Sequence, residues 1–297
     1  MLRSLQWSNI WSSLQLLIMP ITHCGDFMVM SILLMKRFVT SILQGLSSAL
    51  LLALPLVAQA EYGYNLPVGV TPVSHQIYDL HMLIFYICLA IGAGVFAALF
   101  YAIYAFRKSR GAVAANYHES FWIEILWTAI PLLLVVVMLI PAVRLLTKMD
   151  DTSKPVMNIK ITGAQWKWQY SYLEEGIQFF SNLSTSPAQI RGQQPKGKHY
   201  LLEVDKPMVV PIHQKIRLLF TSSDVNHSWW VPDLGVKMDC IPGYVNEAWI
   251  WIEKPGMYRG QCTELCGMQH GYMPIVVDAR SEADYEQWVR QQQSQTR

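Results

Sequence analysis

Polar and apolar positions divide the chain into two regimes. From Met82 to Ala105 no Asp, Glu, Lys or Arg interrupts the sequence, and Ile125 to Val143 forms a second uncharged run. Each is long enough to cross the ~30 Å apolar layer of a bilayer as a helix, in which every backbone polar group pairs internally. Two such helices predict a hairpin. Pro131 and Pro141 fall inside the second, where neighbouring groups can satisfy the freed carbonyls. The connecting loop holds Arg107, Lys108 and Arg110, which places it on the cytoplasmic side and everything after Lys148 outside.

After Asp150 the pattern shortens. Met157 to Thr162, Gln165 to Tyr172, Tyr200 to Val204, Ile216 to Thr221 and Ala248 to Ile252 are rich in β-branched and aromatic residues, with Gly, Pro, Asn and Asp between them. This predicts an all-β sandwich or barrel. Ser281 to Gln293 reads as a closing amphipathic helix and Gly176 to Lys198 as a long loop. The predicted architecture is a two-helix transmembrane hairpin followed by an all-β domain.

Upstream of the hairpin, Lys36 and Arg37 precede the apolar run Ala49 to Val57, which ends in Ala58-Gln59-Ala60. That order is the pattern of a signal peptide cleaved before Glu61; a retained helix is the alternative, but the run is short for a span. Residues 1–34 fit neither reading, and Met35 is the expected start. The expected layout is therefore an N-terminal extension over 1–34, a signal peptide over 35–60, the hairpin over 61–148 and the outer domain over 149–297. A cleaved signal peptide demands the same orientation as the basic loop.

Composition agrees with a membrane protein: 52% of residues are hydrophobic and 15% charged. The net charge of +2, without a basic stripe, gives no purchase on nucleic acid. Of the five cysteines, Cys24, Cys88 and Cys240 are scattered singly, and only Cys262 and Cys266 stand close together. That is poor material for a disulfide framework.

The segment from Cys262 to Met273 gathers two thiols, an imidazole at His270 and a thioether at Met273, and His227 lies upstream at the end of another predicted strand. Sulfur with imidazole selects copper or zinc over hard cations. A structural zinc site uses Cys and His alone and has no need of Met273. A mononuclear blue-copper site uses one Cys, two His and an axial Met, leaving one thiolate over. Two thiolates can bridge two metals, each completed by one imidazole. Taken singly, each of these residues has a plainer reading: a disulfide, loop histidines, a core methionine. The ordered set of His, Cys-x3-Cys, x3-His and x2-Met on a β domain points instead to a metal centre.

At these residues, and from about Leu66 to Trp288, the chain resembles subunit II of the haem-copper cytochrome c oxidases, bacterial type. The resemblance implies a cupredoxin-like fold for the β domain and a dinuclear copper centre, CuA. His227, Cys262, Cys266, His270 and Met273 would be side-chain ligands, Glu264 would give its backbone carbonyl, and the Glu264 carboxylate would reach a magnesium ion shared with subunit I. Trp166, in Gln165-Trp166-Lys167-Trp168-Gln169-Tyr170, would be the electron entry point; apart from the resemblance, such an aromatic alternation is ordinarily half core and half surface. Asp205 and Asp224 match acids that dock cytochrome c, which is commonly basic around its haem edge. Ser171 stands where a further acid is expected, leaving Glu174 and Glu175 to compensate, and Tyr244 stands where many members have Arg.

Glu124, at the cytoplasmic mouth of the second helix, matches the family's proton-uptake glutamate; a snorkelling carboxylate is the alternative. The implied function is electron transfer from cytochrome c through CuA to haem in subunit I, where oxygen is reduced to water and protons are pumped. The implied partners are subunit I, other oxidase subunits, cytochrome c and the bilayer of a bacterial inner membrane, with the outer domain periplasmic. No Cys-x-x-Cys-His segment is present, so the donor cytochrome would be a separate protein.

Three other readings fit less of the sequence. A quinol oxidase subunit II shares hairpin and sandwich but lacks the copper ligands. Nitrous oxide reductase shares the copper motif but is soluble and carries a further large domain. A membrane-tethered copper carrier would leave the aromatic stretch and Glu124 idle.

Overall fold

The computed structural model describes residues 65–295 apart from 115 and 117, together with residues 40 and 44. The expected signal peptide and N-terminal extension lie outside the described residues. Helices α1 (Pro72–Ala105) and α2 (Phe121–Met149) form the hairpin and carry windows apolar enough to cross a membrane. Their apolar side chains, such as Phe96, Phe100, Leu132 and Leu133, face outward from this chain, the arrangement expected where lipid or another subunit supplies the covering surface.

α1 begins well before the uncharged run at Met82. Thr71 accepts from the Ser74 amide at 2.9 Å while Ser74 Oγ accepts from the Thr71 amide at 3.0 Å, and Pro72 occupies the first turn. This reciprocal cap with a preset proline starts the helix at a point set by hydrogen bonding, so Gln76, Asp79 and His81 are helical although too polar for lipid. The cap is buried against the β domain, where Thr71 Oγ1 donates to the Leu234 carbonyl and the Val70 amide donates to that of Asp233. From α2, the Lys148 carbonyl accepts from Trp249 Nε1 at 3.1 Å.

The β domain is a sandwich of two five-stranded sheets. One has the order β3 (Ile177–Ser181), β2 (Lys167–Tyr172), β1 (Met157–Ala164), β5 (Ile216–Ser222), β8 (Asn246–Ile250). The other has the order β4 (Met208–Pro211), β10 (Pro274–Arg280), β9 (Gly256–Cys262), β6 (His227–Val231), β7 (Val236–Cys240). Two pairings are parallel, β1 with β5 and β10 with β4; the rest are antiparallel. Period-two alternation sends Ile159, Ile161, Trp168, Tyr170 and Phe220 into the core against Trp229, Val231, Ile275 and Val277. The buried Tyr172 hydroxyl is satisfied by the Val209 carbonyl at 2.8 Å.

The architecture is the expected hairpin followed by an all-β cupredoxin-like domain, but two local expectations fail. The segment read as a long loop contains β3 and a short helix α3 (Pro187–Ile190). Tyr200 to Val204 is not a strand: Leu201 has φ of 62°, the Leu202 amide turns back to His199, and only Val204 bridges, to Leu183. Helix α4 (Glu282–Gln295) packs on β3 of the first sheet and on β4 and β10 of the second, burying Tyr285 and Trp288, with the Trp288 ring 5.2 Å from that of Tyr172.

Candidate metal centre

The end of β9 delivers Cys262, and the turns that follow carry Glu264, Cys266, His270 and Met273 back to the start of β10. The loop is pinned at its ends: the Cys262 amide donates to the Met273 carbonyl and the Thr263 amide to that of Ser228. His227 stands at the end of a strand, as expected, and that strand is β6, the neighbour of β9, which it opens. This brings it beside residues 35 positions away in sequence.

The donor atoms converge. Cys262 Sγ and Cys266 Sγ are 3.8 Å apart, and Met273 Sδ is 3.7 Å from Cys266 Sγ. His227 Nδ1 lies 3.9 Å from Cys262 Sγ, and His270 Nδ1 lies 3.5 Å from Cys266 Sγ. The Cys262 thiol donates to the Glu264 carbonyl at 3.4 Å. His227, Cys262, Cys266 and Met273 are buried, and His270 is half-buried. The two thiols are unbonded to each other, and each has an imidazole nitrogen within 4 Å.

Burial opposes ionisation of both thiols. At Cys262 the hydrogen bonds from His227 and from nearby backbone amides outweigh it and bring the pKa down to about 7. At Cys266 burial and the neighbouring Cys262 charge act together and push it up to about 12. Without a metal the pair therefore sheds one proton readily and holds the second; a cation between the sulfurs would remove that penalty.

Around the donors, Gly163 is required by space, since a Cβ there would lie 2.7 Å from His227 Cδ2. Trp166 Nε1 and Gln165 Nε2 both donate to the Cys266 carbonyl, at 3.0 and 2.9 Å. Trp168, fully buried, sets its ring 6.0 Å from that of His227. Asp224 accepts from His227 Nε2 at 2.8 Å and from the Gln165 amide at 2.7 Å. Apart from Asp224 and His227, three residues apart, these contacts are distant in sequence, and Gly163 and Gln165 are not legible in it as parts of the site.

The remaining candidates lie apart from the sulfurs. Asp205 is exposed and binds the amide and side chain of Asn182, just past β3 at the end of the sheet where Trp166 enters β2. Glu174 and Glu175 lie beyond the opposite end of β2, roughly 20 Å of strand away. There Glu174 binds Asn158, and Glu175 accepts from Tyr285. Glu124 is exposed in the first turn of α2, and Tyr244 is exposed.

Fold and donor set together define a membrane-anchored, cupredoxin-like protein with a sulfur and imidazole centre. Residues 157–280 match the family description "Cytochrome C oxidase subunit II, periplasmic domain", and residues 59–145 match "Cytochrome C oxidase subunit II, transmembrane domain". A "Probable cytochrome c oxidase subunit 2" of Rickettsia bellii is 35% identical over 229 residues, 77% of this chain and 83% of that one. The "Cytochrome c oxidase subunit 2" of Arabidopsis thaliana is 39% identical over 224 residues, 75% of this chain and 86% of that one. Among solved structures, the periplasmic domain of subunit II of cytochrome oxidase (CoxB) of Bradyrhizobium japonicum is 36% identical, covers 48% of this chain and 98% of its own, and gives a TM-score of 0.44.

The chain belongs to the cytochrome c oxidase subunit II family and is a subunit of a terminal oxidase that associates with other oxidase subunits. Copper is the metal expected for this family, and the donor set, rich in sulfur and with an imidazole near each thiol, fits it.

Proposed function

We propose that this chain accepts electrons from cytochrome c at a dinuclear CuA centre and passes them to haem in subunit I, for reduction of oxygen to water coupled to proton pumping. His227, Cys262, Cys266, His270 and Met273 hold the metals with the Glu264 carbonyl. The carrying observation is the convergence of donors: two thiols 3.8 Å apart, His227 Nδ1 3.9 Å from Cys262 Sγ, His270 Nδ1 3.5 Å from Cys266 Sγ, and Met273 Sδ 3.7 Å from Cys266 Sγ. One four-coordinate metal would be filled by the two thiolates and two imidazoles and would leave Met273 and the Glu264 carbonyl over, donors that a second metal can use. When bound, the two coppers share one electron and so spread the change in charge on reduction.

The protein's own part is to keep the donors still. Strand β6 fixes His227, the pinned loop fixes the thiols, and burial excludes water, so little rearranges when charge arrives. Trp166 is the entry conductor, because its indole touches the ligand-bearing Cys266 directly through a carbonyl. Asp205 and Asp224 supply negative charge for a basic donor. The Glu264 carboxylate reaches a magnesium ion at the border with subunit I, and Glu124 opens a proton path from the cytoplasmic side of a bacterial inner membrane, with the sandwich in the periplasm. Signal-peptide cleavage before Glu61 fits that orientation.

Rapid mixing of the purified oxidase with reduced cytochrome c tests the order of events. The copper absorption is expected to bleach before haem is reduced. Haem reduction that precedes or bypasses the copper signal would remove this chain from the electron path.

A further inference from the structure

Asp224 spans the distance between the surface and the metal ligands. Its side chain is 30% exposed, whereas that of His227 is 0% exposed, and Oδ1 stands 2.8 Å from His227 Nε2. The same Oδ1 accepts from the Val225 amide at 2.6 Å and from Ser222 Oγ at 3.3 Å, and Oδ2 accepts from the Gln165 amide at 2.7 Å. Gln165 and Trp166 then clamp the Cys266 carbonyl. One carboxylate is thus tied to a ligand imidazole and to the backbone of the entry segment.

We propose that Asp224 is a positioning residue for His227, so that the acid facing the donor protein and the group orienting a copper ligand are the same side chain. The proposal rests on the dinuclear copper reading above. A neutral imidazole has one N–H and one lone pair; donating Nε2–H to Asp224 leaves the lone pair on Nδ1, the atom facing Cys262. The carboxylate also fixes the ring plane and makes the imidazole a better electron donor, which favours the oxidised centre. Space is reserved for this orientation, since no side chain at Gly163 could pass the His227 ring. A cationic side chain of the donor that pairs with Asp224 draws charge away from His227, so docking itself raises the tendency of the centre to accept an electron.

The test uses the assembled oxidase carrying Asp224→Asn, Asp224→Glu or, as a docking-only control, Asp205→Asn. The readouts are copper per complex, the copper hyperfine spectrum, the reduction potential and KM for cytochrome c. Asp224→Asn is expected to raise the potential, alter the hyperfine pattern and weaken copper retention by about 10- to 100-fold, the range found when a partner of a metal-bound histidine is lost. Asp224→Glu is expected to return the spectrum and potential toward the parent, and Asp205→Asn to raise KM alone. An Asp224→Asn oxidase with the parent's spectrum and potential overturns the proposal, whatever its KM. A parent complex without a two-copper signal defeats the functional reading instead.

Discussion

The indole of Trp166 donates a 3.0 Å hydrogen bond to the carbonyl oxygen of Cys266, so a half-buried aromatic ring and a buried thiol are joined through one hydrogen bond and the atoms of a single residue. Replacing Trp166 by Phe keeps an aromatic ring and deletes the bond, while Gln165 still donates to the carbonyl. The expected loss of stability is small, about 1 kcal/mol. Reduction by cytochrome c is expected to slow strongly with the copper spectrum unchanged, as read by rapid mixing. An unchanged rate would show that electrons enter elsewhere.

Gly163→Ala places a methyl group 2.7 Å from the His227 ring, against a fully buried wall that cannot recede. Overpacking of this kind costs about 1–3 kcal/mol. The thermal unfolding temperature of the complex and its copper content are both expected to fall, because the displaced group is a proposed ligand. Full copper with a lowered melting temperature would separate the site from the packing.

In the metal-free protein the thiol pair is expected to react with iodoacetamide in two stages. One equivalent reacts at a rate that rises as pH increases through about 7, where Cys262 ionises; the second stays slow, because burial still opposes ionisation of Cys266 after alkylation has removed the Cys262 charge. The sign follows from the thiolate being the nucleophile. The depressed Cys262 value contributes stability to the metal-free fold above the ordinary thiol pKa, lost as pH falls through about 7, while the raised Cys266 value opposes it at high pH. Two thiols reacting together near pH 9 would contradict this environment.

Glu124→Gln removes the ionisable group from the first turn of α2 while preserving its shape. Turnover and proton pumping are expected to decline, with electron entry from cytochrome c unaffected. Unchanged turnover would leave Glu124 as a carboxylate resting at the membrane surface.

The residues that bring the donors together differ sharply in how far the sequence revealed them. Cys262, Cys266, His270 and Met273 fall within twelve positions, and their spacing alone announced a sulfur and imidazole site. The two helices were equally plain, because an uncharged run in a chain is rare unless lipid or core surrounds it. Gly163, Gln165 and the bond from Asp224 to Gln165 were hidden: they act across 59 to 101 residues, and no local period marks them. β3 was missed because its buried ends, Ile177 and Ser181, flank exposed Gln178 and Phe180 beside Gly176, which resembles loop composition. Tyr200 to Val204 misled in the opposite way. Its apolar run packs around a left-handed Leu201 instead of extending, because turns at Gly197 and His199 hold the backbone.

The central claim is that the paired thiols serve two metals. Counting copper in the purified oxidase and recording its paramagnetic spectrum in the oxidised state tests this most directly. The expected result, beyond any copper belonging to subunit I, is two coppers for this chain sharing one unpaired electron, with both lost on Cys266→Ser. One copper with a mononuclear spectrum would contradict it.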